Sequence, residues 1–410
     1  MTIGKSDSMA FEGCTRVLYS FPHKIGATRI CHTAYQLVKN VSAAGADVLL
    51  FPGAVQQRLP ANVRTIPTLA KWKLRLPYRV LGTVKSLQLH DYIVSRRLEK
   101  LAGQVDVVHT WPVGALRTLR TAARLGITTV LERPNAYTRF AYEVVAKECA
   151  RLGVVMPANH EHAFHADILQ IEEAEYATAD FLLCPSDFVL QTFLEAGFPR
   201  QKLLRHQYGF DHELFAPGPK KDDDDLSLRM LFVGGVAPRK GLHYALEAWL
   251  MSPACKNGVF SVAGAFIPGY AEKMKDMLSH PSVRILGHRT DVAQLMRAHD
   301  VFVLPSIEEG SALVTSEARG SGCVLLVSEA TGAVCKHMEN ALVHKVGDVV
   351  ALSRHITDLF ENRALLNRLR ATSIETIHEA TWSAAGHRLL RAYQEALTRK
   401  MDVAQSHASR

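Results

Sequence analysis

Short apolar runs alternate with stretches of helical period along nearly the whole chain. Arg16–Ser20, Asp47–Phe51, Val105–His109, Thr128–Leu131 and Phe181–Cys184 read as strands, with helical patterns at 28–44, 84–101 and 114–125. A second series comes at Arg229–Val233, Val259–Ala263, Val283–Leu286, Val301–Leu304, Val324–Val327 and Ala341–Lys345, with helices that include 242–250 and 292–298. Strands of four to six residues alternating with helices predict parallel sheets covered on both faces. Two series in succession predict two doubly wound domains. The breaker and charge cluster Ala216-Pro-Gly-Pro-Lys-Lys-Asp-Asp-Asp-Asp225, just after Tyr208-Gly-Phe-Asp211, marks the linker. The expected division is 1–206, 207–378, and an amphipathic terminal helix with a polar tail over 379–410.

Size agrees, since 410 residues exceed what one ordinary core organises. With 48% apolar residues the composition is that of a soluble globular protein. No run reaches the roughly 18 apolar residues of a spanning helix, and the N-terminus lacks the apolar segment of a signal peptide. Seven scattered cysteines without a Cys-x-x-Cys pair fit free thiols in a reducing cytoplasm, the expected location.

Charge changes the picture more. Residues 1–205 hold 25 Lys/Arg against 17 Asp/Glu, whereas 206–410 hold 23 of each, so the net +8 belongs to the N-terminal half. The stretch 58–100 concentrates it: Arg58, Arg64, Lys71, Lys73, Arg75, Arg79, Lys85, Arg96, Arg97 and Lys100, interleaved with Trp72, Tyr78 and Tyr92. Such a segment is either a solvated basic face or a surface for an anionic membrane or substrate.

The candidate chemistry is densest around 301–317. The strand Val301–Leu304 runs into Pro305-Ser-Ile-Glu-Glu-Gly310, and a helix expected to start near Ser311 carries Glu317. A loop entering a helix N-terminus holds phosphates. Carboxylates at Glu309 and Glu317 beside it suggest a nucleotide-linked substrate whose hydroxyls are held. The strand at 229–233 leads into Gly234-Gly235 and then Arg239-Lys240-Gly241; this reads either as close backbone approach to a ligand with two cations beside it, or as a plain strand–helix turn. In the first half, Gly26 comes after strand one, and His109 and Leu131-Glu-Arg-Pro-Asn135 sit at strand C-terminal ends, where open α/β sheets bind ligands. His160-Glu-His-Ala-Phe-His165 lacks the His-Glu-x-x-His spacing that puts two ligands on one helical face, so a polar loop or helix start is expected rather than a metal site. Asp222–Asp225 is expected to be a solvated linker.

The signatures Phe232-Val-Gly-Gly with Pro238-Arg-Lys-Gly241, Leu286-Gly-His-Arg-Thr-Asp-Val292, and Asp300-Val-Phe-Val-Leu-Pro-Ser-Ile-Glu-Glu-Gly310 with Glu317 together resemble the nucleotide-sugar domain of the retaining glycosyltransferases of family 4. Tyr208-Gly-Phe-Asp211 looks like that family's entry to its linker, and the Thr381-Trp382 helix like the one that crosses back to the first domain. The resemblance implies the GT-B fold, α/β with two Rossmann-like domains facing a central cleft. It implies Glu317 on the donor ribose, Glu309 over the transferred sugar, and the backbone of Ser311, Ala312, Leu313 and Val314 facing the diphosphate. Lys240, with Arg239, would neutralise the departing nucleotide in place of a metal, and Gly287 and His288 would receive the base. Gly234, Gly235 and Gly310 belong to the same donor loops, and Gly26 resembles the family's glycine loop under the donor. Family members often carry Arg where this chain has Gly235, and a histidine near Glu132. Arg133 is therefore the first choice for a catalytic contact on the acceptor side, with His109, Glu132 and Asn135 behind it.

The resemblance and the charge pattern together imply a retaining, metal-independent enzyme without cofactor. It would move a sugar from a UDP- or GDP-linked donor to a glycan or lipid-linked acceptor, anionic in character, at the inner membrane face, in cell-surface polysaccharide or glycoconjugate synthesis, with no nucleic-acid partner. A nucleotide-sugar epimerase on the same fold and a non-catalytic binding subunit are the alternatives.

Overall fold

The computed structural model describes residues 14–71, 74–75, 82–160, 162–218 and 227–408. Asp222–Asp225, Glu161, and Trp72, Lys73, Tyr78 and Arg79 of the basic stretch lie outside them. Contacts divide the chain into two compact units that do not follow chain order. The first comprises 1–132, 171–183 and 386–410; the second comprises 133–170 and 184–385.

In the first unit, parallel strands lie in the order Arg64–Thr65, Asp47–Val55, Arg16–Ile25, Val107–Thr110, Thr128–Glu132 and Phe181–Cys184. All but the edge strand are buried almost throughout, because helices cover both faces and leave no polar side to the pleat. The chain order reverses between Arg16–Ile25 and Val107–Thr110, which is the topological switch point. The long terminal helix Trp382–Ala408 docks into this unit from residue 386 onward. A Cβ on Gly386 would lie 2.5 Å from the Asn40 backbone, so only glycine lets that helix meet Ile30–Ala43 so closely. Lys400 fastens its far end by donating to the Ile127 carbonyl (2.9 Å) and to Asp180 (2.8 Å).

The second unit's sheet has six parallel strands in the order Val283–Gly287, Val259–Ala263, Arg229–Val233, Val301–Leu304, Val324–Ser328 and Ala341–His344. Its switch point lies between Arg229–Val233 and Val301–Leu304, which pair in the middle of the sheet. Each predicted strand is present, with ends moved by a few residues at most except in the first two, which run on to Ile25 and Val55. Helix Thr138–Leu152 belongs to this unit although it comes after a strand of the other. Its Glu148 is the reason: the carboxylate meets His243 Nε2 at 2.8 Å, accepts from the Tyr244 hydroxyl at 2.9 Å and from Arg151 at 2.7 Å. Burial would raise the Glu148 carboxyl, but His243, Arg151 and Tyr244 hold it at about 2. Among the described residues no helix is long and apolar enough to cross a membrane.

Candidate active site

The two loops marked by their glycines and charges leave adjacent strands at the second unit's switch point, where this class of sheet binds ligands. The first forms a short turn at Pro238–Lys240 that ends on Gly241 in the left-handed region (φ 69°). A Cβ there would lie 2.1 Å from the Pro305 carbonyl, so glycine both makes the turn and lets it lie against the second loop. Arg239 and Lys240 are thereby carried to Glu309.

Lys240 Nζ donates to Glu309 Oε1, Arg239 Nη1 stands 3.0 Å from Glu309 Oε2, and Ser306 Oγ donates to Oε1 at 3.1 Å. The Glu309 side chain is only 8% exposed. Burial would raise its carboxyl, but the two cations outweigh burial and hold it at about 2. Burial lowers the Lys240 ammonium, and Glu309 offsets part of that loss. The pair is a desolvated cation and anion with a short path to solvent through Lys240, which remains partly exposed.

Glu308, absent from the sequence-based candidates, is fully buried beside them. Its Oε1 accepts from Ala136 N at 3.3 Å, and Arg239 Nη1 donates to its carbonyl at 2.8 Å and approaches its carboxylate at 3.3 Å. The segment 134–136 presses on the same loop: a Cβ on Gly310 would sit 1.6 Å from the Pro134 carbonyl. Ser186 Oγ donates to the Gly310 carbonyl at 2.6 Å.

The helix after the loop starts at Leu313, two residues later than expected, because Ala312 N donates back to the Thr331 carbonyl at 3.0 Å. That bond takes Ala312 out of the set of free N–H groups and leaves those of the first helical turn, Leu313 and Val314 among them, at the positive end of the helix. Glu317 lies one turn on, half-buried. Burial, with Asp211 adding to it, pushes its carboxyl up to about 7.

The remaining candidates are distributed unevenly. Asn135 is exposed beside the Glu309 loop, next to Pro134, whose carbonyl abuts Gly310. Arg133 is 1% exposed; it donates to Thr138 Oγ1 at 3.0 Å and lies over the Phe193 ring, so it holds the 133–138 turn rather than presenting a cation to a substrate. Gly235 is exposed, and a Cβ added there would meet nothing within 4 Å. Gly287 (φ 64°) and exposed His288 end the edge strand Val283–Gly287, with two strands between it and Val301–Leu304. In the first unit, Gly26 (φ 79°) packs on Gln57 after the first strand. His109 and Glu132, both 0% exposed, meet each other at 3.4 Å, and the Tyr393 hydroxyl lies 2.8 Å from His109 Nδ1. That placement gives them a packing role under the terminal helix rather than a surface for an acceptor.

His162, expected in a polar loop, is the other residue that sequence reasoning missed. Burial first, then the charge of Arg239, lowers its imidazole to about 2, with Glu309 and Lys240 also acting on it. Its surroundings are partly local, with the His160 ring 5.7 Å away, and partly distant, with Arg239, Lys240 and Glu309 acting on it from far along the chain. Among the described residues, no group of three His, Cys, Asp or Glu is placed to hold a metal.

Residues 227–362 match the family model described as glycosyl transferases group 1. The chain is 32% identical over 143 residues to the UDP-Gal:alpha-D-GlcNAc-diphosphoundecaprenol alpha-1,3-galactosyltransferase of Escherichia coli, covering 31% of this chain and 36% of that protein. It is 27% identical over 124 residues to the N,N'-diacetylbacillosaminyl-diphospho-undecaprenol alpha-1,3-N-acetylgalactosaminyltransferase of Campylobacter jejuni, covering 30% and 33%. The match thus spans about a third of the length of these relatives. Sucrose-phosphate synthase from Thermosynechococcus elongatus superposes with a TM-score of 0.65 at 18% identity, covering 94% of this chain and all of that one. Residues 227–362, which carry the Glu309 loop and the Arg239-Lys240 turn, are a glycosyl transferases group 1 domain, and the chain has the two-sheet GT-B fold.

Proposed function

We propose that the protein is a glycosyltransferase that moves a sugar from a nucleotide diphosphate donor to a glycan or lipid-linked acceptor in cell-surface glycan synthesis, with retention at the anomeric carbon. The observation that carries this reading is the Lys240–Glu309 pair at the mouth of helix Leu313–Gly320, with Glu317 one turn further on. The donor diphosphate takes the helix N-terminus and Lys240. Glu309, freed from Lys240 by the phosphate, accepts from a hydroxyl of the sugar, and Glu317 accepts from the ribose. As the bond from anomeric carbon to phosphate oxygen breaks, its electron pair goes to the diphosphate. Lys240 and the helix dipole stabilise that charge, while the sugar becomes oxocarbenium-like. The acceptor hydroxyl then adds on the face the nucleotide leaves, and its proton passes to the departing diphosphate oxygen. Lys240 and the helix N-terminus serve the leaving group, so the reaction is proposed to run without a metal or cofactor.

The donor base is tested by thermal shift with UDP, GDP and ADP, since ligand at 100 times its Kd stabilises by about 2.7 kcal/mol. A rise with UDP or GDP that Lys240→Ala abolishes is the expected result; no rise with any nucleotide overturns the donor site.

The acceptor side is proposed to include an anionic membrane. Helices Thr83–Leu98 and Leu116–Arg124 of the first unit, with the turn after the first of them, carry Lys85, Arg97, Lys100, Arg117 and Arg120 on the surface, with Tyr92 among them. Glu99 answers two further cations, Arg96 at 2.7 Å and Arg124 at 3.0 Å. At about 1 kcal/mol per cation near an anionic surface, such a face suffices for reversible binding at the inner membrane face. Retention on phosphatidylglycerol vesicles at low salt, lost at high salt, is expected; equal retention on neutral vesicles overturns it.

A further inference from the structure

The donor-site reading leaves Glu308 without a task, yet it is the most deeply placed carboxyl of the cluster, raised by burial while the Arg239 guanidinium pulls it back toward the ionised form. It is 0% exposed, whereas Glu309 and Arg239 retain a little exposure. A buried carboxylate is retained at a cost of several kcal/mol unless partners answer it. Glu308 has such partners on two segments. Ala136 N donates to Oε1 at 3.3 Å, and Arg239 Nη1 lies 3.3 Å from Oε2 while donating to the Glu308 carbonyl at 2.8 Å. The backbone closes the arrangement, since Ile307 N donates to the Arg239 carbonyl at 2.9 Å.

The charges then sort into pairs. Arg239 stands between two carboxylates, 3.3 Å from Glu308 and 3.0 Å from Glu309. Were Glu308 neutral, the whole guanidinium charge would fall on Glu309, which would serve two cations with one carboxylate. A doubly engaged Glu309 holds Lys240 less tightly and has less lone-pair capacity for a sugar hydroxyl. With Glu308 ionised, Arg239 is answered from behind and Lys240 and Glu309 answer each other.

We propose that Glu308 is a positioning residue, a buried counter-anion that takes up Arg239 and so leaves Glu309 and Lys240 matched to each other until donor arrives. Arg239 is then part of the frame rather than a phosphate ligand, and Lys240 is the cation that meets the donor. The assignment of donor roles to Lys240 and Glu309 rests on the function proposed above; the charge pairing itself does not.

The test uses the full chain without ligand. Acetic anhydride modifies amines as free bases, and peptide mass spectrometry reads Lys240 against exposed Lys85 as an internal reference. Glu308→Gln keeps the shape and an acceptor for Ala136 N but removes the charge, so acetylation of Lys240 is expected to rise about fivefold relative to Lys85, the equivalent of one weakened hydrogen bond. The double variant Glu308→Gln/Arg239→Met removes both members of the rear pair and is expected to return Lys240 to the wild-type ratio. An unchanged ratio in Glu308→Gln overturns the proposal, as does a double variant as reactive as the single one. Should Glu308→Gln fail to fold, Arg239→Met decides: Lys240 no more reactive than in wild type supports the pairing, and a rise overturns it. A parallel arm adds UDP or GDP to wild type. If neither protects Lys240, the donor reading falls, while the ligand-free ratios still judge Glu308.

Discussion

Both units place polar side chains at the C-terminal ends of parallel strands, yet the two sets meet opposite fates. In the second unit Glu309, Lys240 and Arg239 form a charged cluster whose Lys240 reaches solvent. In the first unit His109 and Glu132 are sealed at 0% exposure beneath Tyr393, with His109 stacked on Tyr19 at 4.2 Å. What separates them is what covers the strand ends. A glycine-turned loop brings cations to the second unit's carboxylate, whereas a 27-residue helix brings a tyrosine to the first unit's imidazole. Position at a strand end nominates a residue, and the covering element decides whether it meets solvent.

The comparison is broken most severely at Glu309. Glu309→Ala leaves buried Arg239 and partly exposed Lys240 with only Glu308 to answer them, and urea unfolding is expected to show a loss of about 3–5 kcal/mol, together with loss of nucleotide-sugar turnover. Next comes the glycine that lets segment 134–136 against the loop. Gly310→Ala puts a Cβ where the Pro134 carbonyl is, with an expected loss of about 1–3 kcal/mol, while Gly235→Ala, in open space, stays within about 0.5 kcal/mol. Equal effects at the two glycines would refute the close approach. On the first unit's side, Tyr393→Phe removes the hydroxyl from His109 and should cost about 1–2 kcal/mol in the same assay. Turnover measured on the folded variant should be unchanged; a large fall would move His109 back among the catalytic candidates.

The smallest effect concerns Glu317. Its folded carboxyl lies near 7, above the usual carboxylate value, so the folded state binds the proton more tightly than the unfolded chain. That contribution is complete below about pH 4.5 and is lost as pH rises through 7. The melting temperature of Glu317→Gln should therefore fall less between pH 5 and 8 than that of wild type. Parallel curves would mean that Glu317 is solvated like an ordinary surface acid.

Much of this is legible in the chain. Strands such as Val301–Leu304 and Val324–Ser328 are buried on both faces and announce themselves as uninterrupted apolar runs. The Glu309 loop and the Arg239-Lys240 turn are readable because glycine and charge cluster locally. Glu308 could have been found from its place beside Glu309 in a buried loop, and His243 from its position one turn after Lys240. The burial of Arg133 was not legible, since it depends on Phe193, sixty residues away, and nothing local to His162 announces that the loop lies near Arg239. Ala312 shows the limit at an element boundary: its N–H goes to Thr331, and no propensity foretells that bond.

Glu148, by holding helix Thr138–Leu152 to the second unit, has a consequence for how the protein is made. The first unit draws on 1–132, 171–183 and 386–410, and the second on 133–170 and 184–385. Neither is a continuous piece of chain, so neither can be completed in order of synthesis. Residues 133–170 leave the ribosome before His243 and Tyr244, their partners, exist, and the first unit waits for the residues around Tyr393. At about 5–20 residues per second, that interval lasts tens of seconds or less, during which the apolar faces of both units stay uncovered. A fragment ending at residue 206 would remain in that state.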